Sequence, residues 1–117
     1  MATFINGNKT PYAHEKISTL TSSTGLTAAN LTETVSTNPP FDRTRPADEV
    51  LISVETASIR WTCDGTVPTV TAGTGIGHLA TAGEKLLITG YTAIKNFRAI
   101  NAVAASGAAI QATYFRL

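Results

Sequence analysis

With 117 residues the chain has room for one domain, and only 15% of them are charged, against ~25% in typical soluble domains. Nine Lys+Arg against eight Asp+Glu leave a net charge of +1, which offers no basic stripe for nucleic acid, and no apolar run approaches the ~20 residues of a membrane-spanning helix. A single cysteine, Cys63, excludes an internal disulfide and an all-cysteine metal centre, so stability must come from packing or from association.

In chain order, the opening residues Met1 to Gly7 carry neither a basic n-region nor an apolar h-region. A secretory signal is therefore not expected, and the sequons at Asn8 and Asn30 carry no weight. Residues 1–46 are rich in Thr, Ser, Asn and Pro, with Leu20, Leu26, Leu31 and Val35 as thin apolar anchors. Asn38-Pro39-Pro40 and Arg43-Thr44-Arg45-Pro46 read as a stiff, extended connection, because proline biases the residue before it toward extended backbone. The expected division is an extended N-terminal arm over 1–46 and a β-sandwich core over 47–117. Threonine favours strands, so short strands within the arm, or anchors that complete the sandwich, stay open as alternatives.

Residues 47–117 read as strands. Residues 50–55 form a β-branched run. Ile59, Trp61 and Cys63 alternate with Arg60 and Thr62, a period of two that turns Trp61 toward a core and Arg60 outward. Residues 85–89 form a third run. Phe97, Ala99 and Asn101 alternate with Arg98 and Ile100 in a fourth, and Ile110, Ala112 and Tyr114 alternate with Gln111, Thr113 and Phe115 in a fifth. Asp64-Gly65, the glycines from Gly73 to Gly77, Ala82-Gly83 and Ser106-Gly107 punctuate these runs. Residues 102–109 are alanine-rich but short and interrupted by Gly107, which predicts a loop or strand edge rather than a helix. The expectation is all-β: a small antiparallel sandwich or barrel.

Catalytic and cofactor patterns fail on inspection. His14-Glu15 opens like a zinc-protease helix, but the position four after His14 is Ser18. The glycines from Gly73 to Gly77 suggest a phosphate loop, but Ala82-Gly83 leaves no room for the helix such a loop needs, and no Gly-Lys-Ser/Thr exists. No G-x-S-x-G setting surrounds any serine. Cys63, on the inferred core side of its strand, is read as a small hydrophobe. No catalytic residue, cofactor or metal is expected, and the chain is read as a non-enzyme.

The most specific stretch is Ile59-Arg60-Trp61-Thr62-Cys63-Asp64-Gly65-Thr66-Val67-Pro68-Thr69: a strand, a tight turn, and a return stiffened by Pro68. Trp61, Asp64, Gly65 and Pro68 are its structural residues. Gly77-His78-Leu79-Ala80-Thr81-Ala82-Gly83-Glu84-Lys85-Leu86 follows it, then Asn96-Phe97-Arg98-Ala99-Ile100 and Ala112-Thr113-Tyr114-Phe115. In these motifs residues 50–117 resemble small β-sandwich virion proteins of tailed bacteriophages; the first 46 residues have no counterpart there. The turn alone also resembles accessory β-sandwich modules of bacterial glycoside hydrolases.

The resemblance implies a structural virion component, foremost a capsid decoration (cement) protein on the outer capsid surface. Its partners would be the major capsid protein and copies of itself as a trimer, with assembly in the host bacterial cytoplasm. Arg60 and Arg98 are the candidate subunit contacts, as outward guanidinium groups for neighbouring carboxylates. A tail, connector or fibre protein of the same kind of virion is the alternative. A host- or glycan-binding module is a third reading, although the single Trp and three Tyr give little aromatic platform.

Overall fold

The alternating apolar positions become strands in a computed structural model that describes residues 9–38, 41–70 and 74–117. The opening residues 1–8, Pro39, Pro40 and Gly73 lie outside the described residues. In chain order the strands are β1 (Thr10–Ile17), β2 (Thr24–Gly25), β3 (Thr32–Asn38), β4 (Phe41–Pro46), β5 (Glu49–Glu55) and β6 (Ile59–Thr62). They continue with β7 (His78–Ala80), β8 (Lys85–Thr89), β9 (Arg98–Asn101) and β10 (Ala109–Arg116). A 3-10 turn at Ala28–Asn30 and a helix α1 (Tyr91–Asn96) complete the elements.

Every strand pairing is antiparallel. One four-stranded sheet runs β1-β10-β5-β8, the other β2-β9-β6-β7, and β3–β4 forms a separate ribbon. With the ribbon set aside as an insertion, the other eight strands fall in the orders 1-8-3-6 and 2-7-4-5. That is the double Greek key of a jelly roll, and it resolves the sandwich-or-barrel expectation in favour of the sandwich. Val50, Ile52 and Val54 of β5 and Ile110, Ala112 and Tyr114 of β10 share one core with Ile59, Ala80 and Ala99 of the opposite sheet and with Phe97, which ends α1 just before β9. Each large side chain so buried contributes roughly 1.5–3 kcal/mol. The expected runs at 50–55, 85–89, 97–101 and 110–115 are β5, β8, β9 and β10 to within a residue or two at each end.

The boundary at 46/47 does not match the packing. β1 pairs with β10 along its whole length, from Thr10↔Arg116 to Ile17↔Ile110. Ile17 and Leu20 are buried in the core, and Leu26 and Leu31 pack against it. Residues 10–31 thus belong to the sandwich. The stiff connection expected through 38–46 is instead a hairpin: β3 and β4 pair from Thr32↔Pro46 to Asn38↔Phe41. Besides its own pairing, this hairpin packs mainly on the 3-10 turn at its base among the described residues. The molecule measures 53 × 30 × 20 Å with a radius of gyration of 15.1 Å, where a compact chain of this length would give about 13 Å.

Residues 102–108 form a loop, as expected. The side-chain oxygen of buried Asn101 accepts the Ala108 N–H at 3.1 Å, which folds the loop back onto β9. α1 was not expected. Gly90 (φ 88) reverses the chain after β8, the Ile94 N–H returns to the Gly90 carbonyl at 3.1 Å, and Ile94 is fully buried. One buried isoleucine in six residues holds the turn through packing rather than helix propensity. No helix among the described residues is long and apolar enough to cross a membrane.

Candidate functional site

The motif turn is built as its residues require. The Asp64 carboxylate accepts the Thr66 N–H at 3.0 Å, Gly65 adopts φ 88, and the Thr62 hydroxyl donates to the Thr66 carbonyl at 2.5 Å. The Thr66 N–H and hydroxyl, with a smaller contribution from the charge of His78, hold the exposed Asp64 carboxyl below its usual range. Pro68 is buried, and the return is tied to residues beyond the loop: Thr69 N–H to Ile76 O at 3.0 Å, and Ile76 N–H to Thr69 Oγ1 at 2.9 Å.

Trp61 is not the fully buried anchor that its alternation predicted. It is half-buried at the end of the sandwich, its ring stacked on Phe97 at 6.1 Å and 23° and set against exposed His78 at 4.9 Å. Cys63 is likewise not in the core. With Asp64, Thr66, Ile76 and His78 it lines an open pocket of ≈ 420 Å³ beside the turn. Among the described residues, no three His, Cys, Asp or Glu side chains come together as a metal cluster.

The two arginines lie on the expected strands, but both are engaged within the chain. Arg60 donates to the Gly77 carbonyl at 3.1 Å. A Cβ on Gly75 would stand 2.6 Å from the Arg60 Nε and 3.0 Å from the Thr69 carbonyl, so any larger residue there would displace the arginine. Arg98 donates to Ser23 Oγ at 2.6 Å and Ser23 O at 2.9 Å, fastening the β2 side of the sandwich. Arg60 thus spends one donor and Arg98 two within the chain, so neither guanidinium is wholly free for a subunit contact. The outer face of this sheet is partly covered: Thr62 and Ile100, expected outward, are buried, whereas Leu79, opposite Arg60 in the same row, is exposed.

Sequence reasoning passed over Glu15. Its carboxylate accepts from the Thr27 hydroxyl at 2.5 Å, the Thr27 N–H at 3.2 Å, the Asn30 amide at 3.0 Å and the buried Tyr114 hydroxyl. Burial alone would raise its pKa, but these donors outweigh it and hold the carboxyl below its ordinary value. Burial, and then the bond to Glu15, push the Tyr114 phenol up. The only signal for this in the sequence was a carboxylate on β1 at an inward-facing position. The network closes the β1/β2 flank and sets the base of the hairpin. There Tyr12 donates to Asn30 O at 2.7 Å, Ala47 N–H reaches Leu31 O at 2.8 Å, and Arg116 Nε meets Glu33 Oε1 at 2.5 Å. Burial and the nearby Glu33 carboxylate push the Tyr12 phenol up to about 12.

The opposite flank is open. β7 and β8 end their sheets, with no further strand beside them among the described residues. Leu79 on β7, Leu87 on β8, Tyr91 just after it and Ile76 just before β7 are all exposed. The geometry therefore offers a standing hairpin at one side and two unpaired sheet edges with apolar side chains at the other. Comparison of the chain with models of protein families, with curated proteins and with solved structures finds no match.

Proposed function

We propose that this chain is a structural component of a tailed-phage virion, a decoration protein that binds the outer capsid surface, and that it acts by assembly rather than catalysis. The observation that carries this reading is the β3–β4 hairpin, which stands apart from the jelly roll: among the described residues no side chain of 32–46 joins the buried core. A two-stranded ribbon alone in water is marginally stable, so selection for one that packs mainly at its base implies a surface elsewhere. The motif resemblance over residues 50–117 supplies the kind of partner, a capsid lattice. The fold alone does not decide this, because jelly rolls also serve lectins and enzymes.

The test is co-sedimentation of the purified chain with shells assembled from the major capsid protein of the same virion. Saturable binding, together with a raised melting temperature of the shell, is the expected result. Absence of binding to shells, with binding to isolated tails instead, would move the chain to the tail or fibre position.

A further inference from the structure

The β5–β8 ladder fixes which backbone groups of β8 are free. Val54 N–H bonds Glu84 O at 2.9 Å and Gly90 N–H bonds Asp48 O at 2.8 Å, bracketing the paired registers Ile52↔Leu86 and Val50↔Ile88. Residues 84, 86, 88 and 90 thus turn their backbone groups toward β5, while Lys85, Leu87 and Thr89 turn theirs outward from the sheet. All three are exposed. An edge of this kind templates another strand unless something blocks it.

We infer that β8 pairs with β8 of a second copy of this chain, antiparallel about a two-fold axis at Leu87, joining two four-stranded sheets into one of eight strands. The register is self-complementary. Leu87 meets Leu87 of the other copy, and Lys85 meets Thr89, so every outward N–H and C=O of the three residues finds a partner. The two exposed leucines cover one another on the outer face at the axis. No other symmetric register does as well, and one centred on Lys85 would oppose two ammonium groups.

Charge favours the same partner. Glu49 stands opposite Thr89 in the ladder, on the row that Lys85 of the second copy would join. Among the described residues, Asp48 and Glu49 share one cation, Lys9, which lies 3.3 Å from Glu49 and bonds Asp48 more closely. One carboxylate charge is left over beside the edge. Lys85 of the second copy would lie two strand spacings from Glu49, about 10 Å between backbones, within reach of two long side chains extended over the intervening threonine. The symmetry supplies this pairing twice. The inference stands independently of the capsid reading and gives a two-fold contact rather than the trimer that the resemblance implies.

The test is light scattering and sedimentation of the full chain from about 1 μM to about 1 mM, with amide exchange at residues 85, 87 and 89. The expected result is a species of twice 12.2 kDa at the upper concentrations, with the three amides protected. Leu87→Lys places like charges at the axis and should weaken dimerisation at least about tenfold, leaving the circular dichroism unchanged. Lys85→Glu, on an exposed residue, should weaken it in the same direction and serves if Leu87→Lys folds poorly. A monomer at every concentration would show that Lys85 instead guards the edge against pairing. That result overturns the inference, as does an oligomer indifferent to both substitutions.

Discussion

Replacing Glu15 tests how the N-terminal segment is held to the sandwich. In Glu15→Ala the Tyr114 hydroxyl, fully buried, and the half-buried Asn30 amide lose their acceptor, whereas the exposed Thr27 groups turn to water. A buried polar group left without a partner costs about 1–3 kcal/mol, so the variant should lose about 2–4 kcal/mol, most of it through Tyr114. Glu15→Gln keeps the shape and one acceptor oxygen and should lose about 1–2 kcal/mol. The pH dependence follows from the direction of the shift. The folded-state carboxyl titrates below its ordinary 4.5, so its stabilisation is complete above that value and is lost as pH falls through the lower folded value. Wild type should therefore lead Glu15→Gln near about pH 7, and that lead should shrink as the pH falls below the ordinary carboxylate range. Urea denaturation followed by Trp61 fluorescence reads both. Equal stability of Glu15→Ala and wild type at neutral pH, or a gap to Glu15→Gln that does not narrow in acid, would refute the reasoning.

Other perturbations separate the remaining parts of the account. Gly65→Val forces a β-branched residue to φ 88 and should cost about 1–3 kcal/mol; a melting temperature equal to the parent's would contradict the turn. Trp61→Ala, at a half-buried ring stacked on Phe97, should cost about 2–3 kcal/mol, less than the 3–5 usual for a fully buried aromatic, as read by denaturant unfolding on circular dichroism. Arg98→Ala should cost about 1–3 kcal/mol through the lost bonds to Ser23; a loss of association with no change in stability would restore the contact role. Removing residues 32–46 and bridging Leu31 to Ala47, whose backbones already meet at 2.8 Å, should leave a cooperatively folding sandwich. Removing residues 1–46 should not, because β1 goes with them.

The strands of residues 47–117 were legible because each buries one face of a dense apolar alternation, as β5 does with Val50, Ile52 and Val54 buried in turn. The Asp64-Gly65 turn was legible because only local chemistry decides it. Residues 10–31 were not legible as sandwich, since β1 exposes His14 and Lys16 on one side and sets Glu15 on the other. A carboxylate facing inward looks like surface until its donors, up to 99 residues away in the chain, are in place. The intrachain bonds of Arg60 and Arg98 were not legible for the converse reason. Alternation placed them outward, but alternation cannot show that a loop and Ser23 lie over that face. The hairpin at 32–46 was hidden by its prolines, which read as an extended connection whether or not the chain doubles back.

The most direct test of the assembly reading is a cryo-electron reconstruction of the particle that carries this chain. The account expects the jelly roll on the outer capsid surface, with the 32–46 hairpin lying along a neighbouring capsid subunit rather than in solvent. Density for the chain confined to the tail, or a capsid-bound chain whose hairpin touches nothing, would contradict it.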